Sequence, residues 1–225
     1  MEIKKSIGFV TLVLTIVAGY CDTITFVAAD KIFSAHVTGN FIVFAYQMIK
    51  GAEPDSWVKL LTFPVFLLAV MTGGWISSRI RNHHFLLCCE GILLILAGAL
   101  AYVLCDTESE LTTISMYVVT MIVVFAMGFQ NAFGKLFAKE THGPTTMMTG
   151  NVTQVALDLS GLFATGFTGA DYWVSLKKGL ITLAGFLIGC VLGAIAGQWY
   201  GLAGVVLPGV AMVICYFSTP AQEGV

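Results

Sequence analysis

The residues best suited to chemistry are polar and form two matched sets within apolar sequence. A Thr-Gly-Asn triplet occurs twice, as Thr38-Gly39-Asn40 and as Thr149-Gly150-Asn151, and 149 minus 38 gives an offset of 111 residues. Asparagine offers a donor and an acceptor, and glycine lets a backbone or a ligand approach closely. Unpaired polar groups are costly in apolar surroundings. The repetition of the triplet therefore indicates a binding site.

Each triplet is preceded by a second matched set. Gly19-Tyr20-Cys21-Asp22 parallels Gly128-Phe129-Gln130-Asn131, so an acid in the first set corresponds to an amide in the second. Asp22 lies within an apolar run, where an ionisable residue is a candidate for proton or cation coupling. Gln130 and Asn131 can donate and accept hydrogen bonds. An amide opposite an acid predicts asymmetric roles in binding.

Two further polar residues accompany the triplets. Asp158 follows the second triplet at the position that Gln47 occupies after the first, because 158 minus 47 is again 111. We expect Asp158 to act with Asp22 in binding protons or cations. His36 directly precedes the first triplet, whereas Met147 stands at the equivalent place in the second. His36 is therefore a candidate proton shuttle confined to one half of the chain.

The composition places these polar residues in a membrane protein. Of 225 residues, 57% are hydrophobic and 11% are charged, and the mean hydropathy is +0.88, which leaves too little polar surface for a soluble globule. The net charge of -2 and the scattered cations give no patch for a nucleic acid. The six cysteines lie in apolar runs, which predicts neither disulfides nor a metal site. No motif indicates a cofactor.

The elements that must position the polar residues are apolar runs of two kinds. Runs long enough to cross a bilayer, which takes about 20 residues, cover 7–29, 57–78, 85–105, 111–134, 179–198 and the rather short 202–217. The runs 38–49 and 149–167 begin at the triplets, follow polar breaks and look too short to cross. One long run carries glycines at four-residue spacing, which predicts a face for close helix packing. These glycines are Gly185, Gly189, Gly193 and Gly197.

We therefore predict an all-α polytopic membrane protein built by internal duplication. Residues 1–110 form the first membrane repeat and 111–225 the second, and together they make one transmembrane domain. If each short helix dips into the membrane and returns, each repeat has three full spans and one re-entrant helix, and the repeats are inverted. If the short helices cross, the alternative is eight full spans in two parallel copies.

The distribution of the 11 Lys and Arg residues favours the first topology, because cytoplasmic loops carry an excess of positive charge. With eight spans the division is six against five, which is no bias. With six spans it is eight against three, and the N-terminus is cytoplasmic. The eight are Lys4, Lys5, Arg79, Arg81, Lys135, Lys139, Lys177 and Lys178, and the three are Lys31, Lys50 and Lys59.

Helices that begin at the triplets would direct free backbone N–H groups at a site between the repeats. The positive end of each helix dipole suits an anionic or electron-rich ligand group. Thr38 and Thr149 are expected to be the N-cap residues. Discontinuous helices that meet near the membrane midplane are typical of secondary transporters.

The motifs resemble those of the YoaK family, small bacterial membrane proteins that carry a domain of unknown function. The resemblance rests on Gly19-Tyr20-Cys21-Asp22, Phe33 and the first triplet, followed by Met127 to Ala132, Thr145-Thr146 and the second triplet. It covers nearly the whole chain, although Thr23 stands where the family pattern has alanine. The resemblance implies a protein of the bacterial inner membrane and implies no activity.

These observations favour a small-solute transporter or channel of the inner membrane over an enzyme. Its central site would be lined by the two triplets, and its partners would be membrane lipids and a small-molecule or ion substrate. One alternative is an integral-membrane enzyme that acts on a lipid or quinone, although no Ser-His-Asp set or other catalytic motif supports it. Another is a non-catalytic membrane assembly factor. The glycine-rich faces also allow a homodimer.

Overall fold

The structure is a computed structural model that describes residues 2–51, 55–108 and 112–219. Throughout these ranges the regular structure is helical, as predicted. Five stretches are long and apolar enough to cross a membrane. The helices are α1 (Glu2–Ala28), α2 (Gly39–Gly51), α3 (Val58–Arg79), α4 (Phe85–Glu108), α5 (Thr113–Leu136), α6 (Met148–Ala164), α7 (Ala170–Tyr200) and α8 (Val206–Ser218), with a 3-10 segment at Gly201–Val205.

The helix boundaries follow from local chemistry. Asp30 and Lys31 adopt left-handed backbone angles directly after α1, which ends that helix. Gly201 has a φ of 53° and breaks the apolar stretch Ala170–Ser218. That stretch has 49 residues, more than twice the length of one crossing. The break therefore divides it into α7 and α8, as the sequence predicts.

The second short run and the helix that follows it have bounds that differ from those expected. It forms α6, and the chain turns through left-handed angles at Gly166 and Phe167. The next helix, α7, begins at Ala170 rather than at residue 179. The extra turns of α7 pack on α6, where the ring of Tyr172 lies directly against Gly161. The predicted runs leave residues 168–178 between them, whereas in the structure most of these residues are helical and packed on α6.

Glycines bring the backbones together in three of the helix pairs that form the bundle. The glycines of α7 form a face for close helix packing, as predicted, and the structure places it along α1, where a Cβ on Gly189 would collide with the carbonyl oxygen of Ile16. The pair α3 and α5 has the same character, with Gly128 against Ala69. In membranes such contacts stabilise helix pairs through van der Waals packing. The third pair, α4 and α8, is joined by Gly91 and Gly209.

Contacts between residues distant in sequence establish which helix termini lie together at each end of the bundle. At one end, Lys59 at the start of α3 forms an ion pair with Asp30, just after α1. Tyr117, near the start of α5, also lies 3.5 Å from the Asp30 carboxylate. At the other end, the backbone N–H of His142 donates to Thr11 of α1 at 2.9 Å. The chain between α1 and α3 therefore begins and ends on the same side.

Candidate functional site

The first polar cluster is centred on Asp22 of α1, which is 5% exposed. Its Oδ1 accepts hydrogen bonds from the backbone N–H of Ala35 at 2.5 Å and of His36 at 3.2 Å. The hydroxyl of Ser34 donates to the same oxygen at 3.4 Å. Among the described residues, no donor is bonded to Oδ2. Asp22 thus ties the non-helical segment before α2 to α1 and keeps one carboxylate oxygen free.

Asn40 holds the same segment from its other side. It is fully buried, and its Nδ2 donates to the carbonyl oxygen of Phe33 at 2.8 Å while its Oδ1 accepts from the Phe33 N–H at 2.8 Å. Nδ2 also donates to Thr62 of α3 at 3.0 Å. A Cβ on Gly39 would come within 3.0 Å of the Phe33 ring, so the glycine makes room for that ring. The first triplet joins the segment 29–38 to α3.

The second polar cluster uses Gln130 and Asn131 of α5 in the corresponding place. Asn131 Oδ1 accepts from the hydroxyl of Thr146 at 2.7 Å. Gln130 Nε2 donates to Thr145 at 2.9 Å and to the carbonyl oxygen of Leu14 in α1 at 2.8 Å. The Oε1 atom of Gln130 is buried, and none of the described residues donates to it. The cluster therefore contains an acceptor that a ligand could use.

Asn151 repeats the role of Asn40 with fewer bonds. Its Nδ2 donates to the carbonyl oxygen of Pro144 at 2.8 Å. Pro144 lies 111 residues after Phe33, and proline has no N–H to donate in return. The second segment is consequently held less tightly than the first.

A cleft of about 490 Å³ opens beside the second cluster. It lies between α3, α5 and the segment 137–147, and it is lined by both amides of the cluster. Lys135 also lines it and is exposed. The cleft thus combines an unpaired buried acceptor, two threonines and a cation. Its polar lining residues include Gln130, Asn131, Lys135, Thr145 and Thr146.

The first residues of the two triplets are less buried than the asparagines. Thr38 and Thr149 are exposed, as is Gly150. The N-cap position of α6 is Met147, so the expectation that Thr149 caps this helix is wrong. Thr149 lies in the first turn of α6, because the helix begins at Met148. His36 is also exposed and meets Asp22 through its backbone N–H.

Asp158 and Asp22 lie in different places. Asp158 is 2% exposed, accepts from Gln154 at 2.9 Å through Oδ1, and has a buried Oδ2 to which no described residue donates. It stands on α6, which packs on the first turns of α7 through Val155 and Gly179. Asp22 instead lies near Cys190, much further along α7. Among the described helices, α2 contacts α3, α6 contacts α7, and α2 and α6 do not meet.

Sequence reasoning missed two buried charged residues. The charge count takes Lys59 as an external cation near the start of a span, but it is fully buried in α3 and pairs with Asp30. Glu90 is also fully buried, within α4. An acid inside an apolar run was a signal that could have identified Glu90. For Lys59 there was no comparable signal, because its position near a predicted helix end suits an exposed cation equally well.

Sequence reasoning also missed a buried contact between His84, just before α4, and Glu140, in the chain after α5. His84 is 2% exposed, and its Nε2 lies 3.8 Å from the Glu140 carboxylate. Burial lowers the pKa of His84, and Glu140 opposes that effect. Burial also lowers the pKa of His142, with a contribution from Lys178. These histidines line the end of the bundle opposite the Asp30 ion pair.

The fold and these clusters define an all-helical protein of the membrane class, with polar groups paired inside an apolar bundle. The chain belongs to the family described as "Protein of unknown function (DUF1275)", whose family model matches residues 10–218. The match is consistent with the motif resemblance to YoaK proteins, although its description does not use that name. No curated protein and no solved structure was found to match the chain.

Proposed function

We propose that the protein is a small-solute transporter or channel of the bacterial cytoplasmic membrane, with a cytoplasmic N-terminus. The observation that carries this proposal is that non-helical segments before α2 and α6 return to the bundle and bond to Asp22 and Asn131. At membrane depth, irregular backbone is tolerated only where it is buried in protein or lines a water-filled cavity. The cleft beside the second segment supports a solute pathway.

In this proposal the two halves are inverted repeats, and α2 and α6 are re-entrant helices. By the offset of 111 residues, α1 is equivalent to α5, α3 to α7 and α4 to α8. The pairs α1–α7 and α5–α3 are therefore equivalent to each other, and α4 pairs with its own equivalent, α8. Such pairing is expected for two halves related by a two-fold axis. The Asp30–Lys59 ion pair supports the re-entrant path of α2, because it joins the end of α1 to the start of α3. Six crossings also agree with the bias of the cations.

We assign different roles to the two clusters. The free Oδ2 of Asp22 is suited to a proton or a cation, and the exposed His36 next to it is suited to deliver a proton. The second cluster is suited to a polar solute that donates a hydrogen bond to Gln130. Lys135 at the cleft favours a solute with an electron-rich group. Asp158, with its unpaired Oδ2, is a second candidate for binding a cation.

The topology can be tested with single reporter cysteines in a background without native cysteines. Lys50→Cys lies near the end of α2 and Lys178→Cys lies in α7, and both positions are exposed. Labelling with an impermeant thiol reagent in oriented membranes should modify the two on opposite sides. Labelling on the same side would mean that α2 crosses the membrane, and it would remove the inverted-repeat argument.

The aqueous nature of the cleft can be tested in the same background. Thr146→Cys lines the cleft but is only 4% exposed, whereas Leu187→Cys on α7 is 65% exposed at a surface that we expect to face lipid. A charged thiol reagent needs water, so it should react faster with Thr146→Cys. Faster reaction of Leu187→Cys would contradict a water-filled cleft. Denatured samples of both variants should react equally and thus provide the control.

The coupling role of Asp22 can be tested in proteoliposomes that enclose a pH-sensitive dye. A panel of small polar solutes is added under an imposed pH gradient, and protein-free vesicles give the baseline. Asp22→Asn retains an acceptor for the bonds to Ala35 and His36, so we expect it to fold and to lose pH-driven uptake. Full pH-driven uptake by this variant would refute the coupling role.

A further inference from the structure

Glu90 is a buried acid that neither polar cluster uses. It lies in the second turn of α4, between the buried residues Leu87 and Leu94, and it is fully inaccessible to solvent. Both carboxyl oxygens are buried, and no described residue bonds to either. It also forms no ion pair with any described cation. This environment differs from that of Asp22, whose Oδ1 accepts three hydrogen bonds.

The surroundings of Glu90 are closely packed. The neighbouring Gly91 lies against the backbone of Gly209 in α8, and a Cβ there would come within 3.0 Å of Met212. Met212 and Cys215 of α8 are fully buried. This packing gives the carboxyl group no route to water while α4 and α8 remain in contact.

The titratable groups that face Glu90 are two thiols. Cys21 of α1 and Cys215 of α8 lie within electrostatic range of its carboxyl group, and both are fully buried. Cys21 also lies next to Asp22, so a line of titratable groups leads from Glu90 to the first polar cluster. A thiol is a weak hydrogen-bonding group and gives a carboxylate no positive charge.

The charged groups of the other helices that pack on α4 have other surroundings. On α3, Lys59 is paired with Asp30 and Arg79 is stacked on Trp75. On α5, Lys135 lies at the cleft and Tyr117 lies near Asp30. The 3-10 segment has no ionisable side chain. Within the described residues, no set of three potential ligands is arranged to hold a metal ion.

An unpaired carboxylate in such a site would cost several kcal/mol or more, and a buried group avoids that cost by binding a proton. We propose that Glu90 is an intramembrane proton-binding site, occupied at neutral pH and sealed by the contact between α4 and α8. The proton is its ligand, because the described residues offer no set of ligands for a metal cation. Proton binding by Glu90 does not depend on a transport function.

The test is infrared spectroscopy of the purified protein at pH 7.5, with glutamate labelled by carbon-13 at its side-chain carboxyl group. A protonated carboxyl group absorbs separately from an ionised one, and the label shifts only the glutamate bands. We expect one protonated glutamate in the wild type and its loss in Glu90→Gln. Glu140→Gln makes the same chemical change at a glutamate that lies 3.8 Å from His84, and it should leave the band intact.

Two infrared results would overturn the proposal. One is a wild-type spectrum without a protonated glutamate band, which can be read even if Glu90→Gln fails to fold. The other is a band that survives in Glu90→Gln. Thermal unfolding of Glu90→Leu gives a separate measurement. Replacement of a neutral, unpaired acid by an apolar side chain should preserve or raise the unfolding temperature, whereas an ionised Glu90 with a necessary partner would make that variant less stable.

Discussion

The side-chain amide of Asn40 forms two reciprocal 2.8 Å hydrogen bonds with the backbone of Phe33, one to its N–H and one to its carbonyl oxygen. With the backbone Asn151 makes only the bond to the carbonyl oxygen of Pro144, and its other contact is a 3.7 Å bond from Nδ2 to the Met148 sulfur. The same triplet residue therefore satisfies two buried backbone groups in the first half of the chain and one in the second.

We expect Asn40→Ala to destabilise the protein more than Asn151→Ala. The first change leaves the Phe33 N–H and carbonyl and the Thr62 hydroxyl with fewer partners, which should cost roughly 2–4 kcal/mol. The second removes one strong bond and should cost about 1–2 kcal/mol. Thermal unfolding in a single detergent measures both variants. Equal losses, or a larger loss for Asn151→Ala, would contradict the difference in their bonding.

The ion pair between Lys59 and Asp30 predicts an asymmetric response to substitution. Lys59 is fully buried, whereas the Asp30 side chain is 26% exposed. Asp30→Asn leaves a buried ammonium group without its counter-charge and should cost about 3–5 kcal/mol. Lys59→Met leaves a carboxylate that water can reach and should cost less.

The double variant, Asp30→Asn with Lys59→Met, provides the control for that pair. It removes both charges, so its unfolding temperature should exceed that of Asp30→Asn alone. A double variant as unstable as the sum of the two single changes would mean that the residues act independently.

The glycine face of α7 predicts a sharp difference between two chemically identical changes. In Gly189→Ala the new methyl group collides with the α1 backbone at Ile16, whereas in Gly74→Ala no atom lies within 4 Å of it. The first change should destabilise by about 1–3 kcal/mol or more through overpacking. The second should be neutral or slightly stabilising, because alanine favours helices over glycine. Unfolding temperatures compare the two, and similar losses would argue against close contact of α1 and α7.

His84 predicts a loss of stability in acid. Burial lowers the pKa of its folded form below the ordinary value of 6.5, so the unfolded chain binds the proton more tightly. The protein should therefore lose stability as the pH falls through about 6.5 and towards the lower folded pKa. His84→Asn should lose less stability than the wild type between pH 7.5 and pH 5. Parallel unfolding profiles for the two proteins would count against this role.

Glu140→Gln tests the opposing effect in the same experiment. Glu140 favours the protonated form of His84, so its removal lowers the folded pKa further. The loss of stability in acid should then be larger than in the wild type. A smaller loss would indicate that the carboxylate does not act on His84.

Several features were predictable because they depend on local sequence. Apolar length identified the long helices, and the left-handed turns after α1 and at Gly201 occur where breaks were expected. Four-residue spacing of glycine identified the face of α7 that meets α1. The matched polar sets also lie where the structure has its two polar clusters, around Asp22 and Asn131.

The partners of individual polar atoms could not be predicted, because they depend on the rotation and approach of helices distant in sequence. The sequence by itself determined a helical, membrane-type chain with two polar sets. Only the tertiary structure decided that Lys59 is buried against Asp30, that Asp158 lies on α6 beside α7 rather than near Asp22, and that Glu90 has no partner among the described residues. The hydropathy of a segment can be read from that segment alone, whereas hydrogen bonds and ion pairs between helices require two helices in a particular register.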